Sequence, residues 1–130
     1  MSAPYAPSTA QKYPAHTRPL AQAEVEERIQ RVIEEMERHT EEYDDLSSRA
    51  ANADADYKRQ SARALLAVIQ HGEKMTVSER GARADLMCEE EYRAHLLATA
   101  ARNSKREYLT TLRAHLDALR TLNASIRGQA

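Results

Sequence analysis

YKRQSARALLAVIQHGEKMTVSERGAR, residues 57–83, is the stretch on which the fold turns. Its first part reads as helix: residues 62–70 carry Leu65, Leu66, Val68 and Ile69 with no breaker, and the pattern stops at His71-Gly72. Glycine takes the left-handed C′ conformation there without steric cost, so a helix ends. Thr76 then stands three residues before Glu79, the spacing at which a hydroxyl caps the third backbone N–H of a new helix. The chain therefore reverses at residues 72–76. Lys58, Arg59, Arg63, Lys74, Arg80 and Arg83 gather around this bend, which makes it the architectural centre and the candidate binding surface.

Two arms extend from the corner. In the first, residues 20–71, Val25, Ile29, Val32, Met36, His39, Tyr43, Leu46, Ala50, Ala53 and Tyr57 recur at alternating spacings of four and three, one apolar stripe broken by His39. An unbroken arm would measure roughly 75 Å at ~1.5 Å per residue. Asp, Ser and Asn cluster within residues 44–55, so a break near Ser47-Ser48 would divide it into two helices. The second arm spans residues 77–126, with Gly81 and Asn103-Ser104 as soft points. Leu86, Ala94, Leu97, Ala101 and Tyr108 form its first seam. Leu109, Leu112, Leu116, Leu119, Asn123 and Ile126 form a second in strict alternation, the strongest association signal in the chain and the one assigned to oligomerisation. Asn123 at a seam position can fix register or oligomer state. The expected fold is all-α: a long helical hairpin of two or three helices over residues 20–130, assembling through coiled-coil-like seams.

Residues 1–19 hold Pro4, Pro7, Pro14 and Pro19 without periodicity and read as a disordered arm. All six aromatic residues are Tyr, and Ala, Leu, Glu and Arg dominate, which favours long helices with a thin seam over a thick core. A thin seam leaves apolar surface uncovered, so self-association is expected. The net charge of −1 conceals a division. Residues 24–45 hold ten acids against Arg28, Arg31 and Arg38, whereas from Tyr92 onward seven bases face only Glu107 and Asp117. Such segregation suits an anion-attracting end, acid-to-base contacts between subunits, or two solvated helix faces. Cys88 is the single cysteine, and neither a signal peptide nor an apolar run near 18 residues is found, so a soluble, cytoplasmic protein is expected, with no membrane partner.

Catalytic patterns are missing. Gly72, Gly81 and Gly128 stand too far apart for a phosphate loop, and HExxH, Glu-x-x-His and CxxC do not occur. Glu35 with His39, and Glu91 with His95, sit four apart on a helical face but lack further ligands, which suits surface ion pairs better than a metal. Cys88 precedes Glu89, Glu90 and Glu91, surroundings that oppose a thiolate. No enzyme activity, cofactor or metal is therefore expected. What remains is basic residues interleaved with tyrosine: the corner set, then Arg102, Lys105 and Arg106 with Tyr108. These could bind phosphates by counterion release, with Tyr57 better suited to the core than to stacking on a base.

Residues 50–127 resemble the UvsY-type recombination mediators of T-even-like phages, which are small all-helical proteins. The resemblance is carried by Tyr57-Lys58-Arg59 through Gly72, by the connection at residues 73–83, and by His115-Leu116-Asp117-Ala118-Leu119-Arg120 with Ile126-Arg127. It implies a non-catalytic homo-oligomer that binds single-stranded DNA and helps a RecA-like recombinase replace a single-strand-binding protein. The competing expectation is a structural, scaffolding or adaptor coiled-coil protein. In it the acidic first helix and basic second helix pair with each other or with a protein partner, without DNA affinity.

Overall fold

Residues 22–70 contain neither glycine nor proline, and in the computed structural model, which describes residues 21–71 and 74–129, they form one unbroken helix, α1 (Gln22–Gln70). At ~1.5 Å per residue it is about 74 Å long. The Asp, Ser and Asn cluster does not break it: Arg49 pairs with Asp45 at 3.1 Å and Lys58 with Asp54 at 2.9 Å, each acid one turn before its base. That order suits the helix dipole and adds a few tenths of a kcal/mol per pair, about 0.3 at most sites. Ala50, almost wholly buried, keeps the stripe facing inward through the same stretch.

After the corner, α2 (Val77–Met87) begins on an extended Thr76, whose Oγ1 accepts the Glu79 N–H at 3.1 Å, as the sequence spacing predicts. The second arm is interrupted at Cys88 rather than at Gly81 or Asn103-Ser104, which are helical. Cys88 leaves helical geometry (φ −121°, ψ 28°), and its N–H donates to Asp85 O at 3.2 Å, one residue short of the α-helical partner. The Ala84 carbonyl is satisfied instead by the Cys88 thiol at 3.2 Å. A side chain inserted into the backbone ladder in this way bends a helix. The chain resumes at once as α3 (Glu89–Gln129), with Glu89, Glu90 and Glu91 in its first turn, where the dipole favours acids.

α1 packs antiparallel against α3 along most of its length and against α2 near the corner. The main core lies at the open end: Val25 and Val32 meet Leu109, Leu112, Leu116 and Leu119, with Ile29, Ile33, Met36, Tyr43 and Ile126 around them. A smaller cluster of Ala64, Val68 and Ala84, with Met75, closes the corner end. No strand occurs among the described residues. The N-terminal arm expected over residues 1–19 and the corner residues Gly72 and Glu73 lie outside the described residues.

Two seam assignments change. Leu109, Leu112, Leu116, Leu119, Asn123 and Ile126, expected to join subunits, instead close the chain's own hairpin against α1. The other seam is rotated out of the interface: Leu86, Ala94, Leu97, Ala101 and Tyr108 are exposed, Leu86 by 73% and Leu97 by 62%. The inward positions are Ala84, Cys88, Glu91, His95, Ala98, Arg102 and Lys105, which continue the four-three alternation of the leucines back to the corner. A stiff helix has one register, and the leucine end sets it.

Candidate nucleic-acid interface

The six basic residues around the corner divide between two sides of the hairpin. Arg59 and Arg63 are one turn apart on α1, and Arg80 and Arg83 are three apart on α2, so each pair shares a helical face. Ala67, one further turn along from Arg63, lines a groove of about 240 Å³ with Val68, His71, Met75, Arg83 and Met87. That groove puts the Arg63 side of α1 and the Arg83 side of α2 on one surface. Arg59 lies 3.3 Å from Asp56, an exposed pair of little energetic weight. Among the described residues Arg63, Lys74 and Arg80 have no acidic partner. Arg63 and Lys74 are exposed and Arg80 is half-buried.

Lys58 is turned away. It follows Arg59 backwards by about 100° of helical rotation and engages Asp54, whose carboxylate is held below its ordinary pKa by the Lys58 hydrogen bond. Asp54 also lies 3.7 Å from His95 on α3. The opposite surface thus carries Lys58 together with an open cavity of about 670 Å³ lined by Tyr57, Ala82, Asp85, Leu86, Glu89 and Tyr92. Tyr57 sits between the arms, its ring stacked on His95 at 5.7 Å and tilted against Tyr92 at 5.1 Å. Burial pushes its phenol pKa up.

The second basic cluster, Arg102, Lys105 and Arg106 with Tyr108, is engaged within the hairpin. Lys105 Nζ donates to Glu42 at 2.5 Å and meets His39 Nδ1 at 2.9 Å. It thereby holds the Glu42 carboxyl below its usual range. Arg106 donates to the Tyr43 hydroxyl at 3.3 Å, and the Tyr108 hydroxyl donates to Glu35 at 3.5 Å while its ring meets His39 edge-on at 4.6 Å. Near the open end Arg127 donates to Glu26 at 3.1 Å. The acidic first arm and basic second arm therefore pair with each other inside one chain. Sequence reasoning placed these bases on a binding surface because their charge is visible and their partners, more than 60 residues away, are not.

No group of three or more His, Cys, Asp or Glu among the described residues could hold a metal ion, and no helix among them is long and apolar enough to cross a membrane. Comparison with known proteins finds no matching family model, no matching curated protein and no matching solved structure.

Proposed function

We propose that this chain is a non-catalytic, homo-oligomeric protein that binds single-stranded DNA, and that it acts as a recombination mediator that helps load a RecA-like recombinase in place of a single-strand-binding protein. One observation supports the DNA-binding reading above the others. Arg59, Arg63, Arg80 and Arg83, from two different helices, share one side of the corner end. They stand far from the acidic residues 24–45, most of which lie toward the open end of α1. A cluster of guanidinium groups on rigid helices binds a phosphate chain by releasing its counterions, with little regard for sequence. The mediator role rests on the resemblance alone.

A specific observation favours the adaptor reading as the alternative: Leu65, Leu66, Ile69, Leu86, Met87, Leu96 and Leu97 stay exposed near the corner, surface that a protein partner would cover. Fluorescence anisotropy of labelled oligo-dT separates the two. Binding at micromolar concentration or tighter, weakened in Arg59→Ala/Arg63→Ala, is the expected result. No binding at low salt would leave the adaptor as the working function.

A further inference from the structure

We propose that the groove between α1 and α2 at the corner end holds one unpaired base of the bound strand, an inference that rests on the DNA-binding reading above and deepens it. The arginines take the phosphates and the groove takes a base between them. The surface thereby distinguishes single strands from duplex.

The groove follows from how the two helices meet. Ala67 and His71 are one turn apart on α1, and Arg83 and Met87 are one turn apart on α2, so these four side chains rim the gap. Val68 and Met75 form its floor. Val68 is 6% exposed, and Met75, half-buried, packs against the cluster that Val68 forms with Ala64 and Ala84. Ala67 contributes only a methyl group, which keeps the α1 side open, and Met87 leaves 55% of its surface in solvent on the α2 side. At about 240 Å³ the groove is smaller than the ~300–1,000 Å³ of a pocket for a drug-sized ligand, room for a single flat ring rather than a whole nucleotide.

The chemistry of the lining selects a base. An apolar floor cannot solvate a phosphate, so the charged part of the strand stays at the rim. Methionine thioethers are polarisable, turn about three single bonds and make favourable contacts with aromatic rings, so Met75 and Met87 accept any base without reading its edge. That tolerance matches phosphate contacts, which carry no sequence information.

Charge decides which cavity of the corner end receives the strand. Arg83 lines the groove, Arg63 stands one turn from Ala67 at its margin, and the exposed Lys74 adjoins Met75. No carboxylate lines it among the described residues. The larger cavity on the opposite side carries Asp85 and Glu89, which repel a phosphate chain. A strand passing from Arg63 to Arg83 crosses the groove and sets a base over Met75 and Met87. In a duplex a base reaches such a site only after unpairing and unstacking, a cost largely absent in oligo-dT.

Fluorescence anisotropy with two labelled strands of equal length and charge tests the groove: oligo-dT, and the same phosphodiester chain with abasic sites throughout. Oligo-dT is expected to bind about 10-fold more tightly than the abasic strand, the scale of contacts between one ring and two thioethers. Met87→Ala, at an exposed position, should narrow that difference to about 3-fold, and Met75→Ala/Met87→Ala should abolish it. Affinity for the abasic strand and helicity by circular dichroism should stay as in the wild type. Equal wild-type affinity for the two strands, with both weakened in Arg59→Ala/Arg63→Ala, overturns the base site and leaves the arginine surface standing. A preference for oligo-dT that survives Met87→Ala at full size also overturns it, for the base is then held elsewhere. Failure of both strands to bind removes the DNA-binding reading itself, and this site with it.

Discussion

Leu116→Ala should destabilise the hairpin by about 2–3 kcal/mol, and Leu97→Ala should change its stability by less than about 0.5 kcal/mol. Both residues are leucines on α3, and the sequence alone places both on apolar seams. Leu116 is 5% exposed within the cluster formed by Val25, Val32, Leu109, Leu112 and Leu119. Its truncation removes three carbons at about 0.8 kcal/mol each, or about 2.4 kcal/mol of transfer free energy. The added cavity cost is small, because an open groove of about 600 Å³ beside it, lined by Ile33, Met36, Thr40 and Arg120, admits water and lets neighbours shift. Leu97 has most of its surface in solvent and loses little on truncation. Urea unfolding followed by circular dichroism measures both. Equal losses, or a larger loss for Leu97→Ala, would mean that α3 is rotated so that the Leu97 row faces α1, and the register described above would be wrong.

Asn123 continues the leucine row, half-buried, with its Oδ1 buried and no hydrogen-bond partner among the described residues, so Asn123→Leu should stabilise the chain by about 1–2 kcal/mol in the same urea experiment. A loss of stability would show that the amide has a partner that offsets its burial. Stability should also depend on pH in a defined direction. Hydrogen bonds hold three carboxyls below their ordinary values: Glu26 by Gln22 and Arg127, Glu42 by Lys105, and Asp54 by Lys58. A depressed folded pKa contributes stability above the unfolded value, about 3.9 for Asp and about 4.3 for Glu, which is lost as pH falls through the folded one. The melting temperature should therefore hold to about pH 5 and drop below about pH 4, by less in Glu42→Gln. A melting temperature that rises on acidification would contradict these pairings.

Much of the fold was legible because its signals are local. The stripe from Val25 to Tyr57 faces inward as its spacing predicts, and Thr76 caps the helix that its distance from Glu79 announces. The break at Cys88 left no such mark, for it depends on a thiol taking over the Ala84 carbonyl, and no propensity scale contains that exchange. The seam of the second arm was misread for a different reason. Between residues 84 and 105 the bulky apolar side chains lie outside and Glu91, His95, Arg102 and Lys105 lie toward α1, so following hydrophobicity leads to the wrong row. Extending the strict alternation of Leu109 through Ile126 backwards finds the right one. The leucine row expected to join subunits is occupied within the chain. Of the candidate site, the sequence located the corner and its bases. It could not separate Lys58 from Arg59, since which side of a hairpin a residue occupies depends on the packed register.

The salt dependence of single-strand binding tests most directly the claim that the arginine surface holds the phosphate chain. Four arginines on phosphates, at about 0.7 per contact, give a slope of log affinity against log salt of about −2.8, or about 50-fold weaker binding to oligo-dT between about 50 and about 200 mM salt. Arg59→Ala/Arg63→Ala removes two of the four and should bring the slope to about −1.4. Parallel lines for wild type and variant, or no binding at the lower salt, would contradict the account.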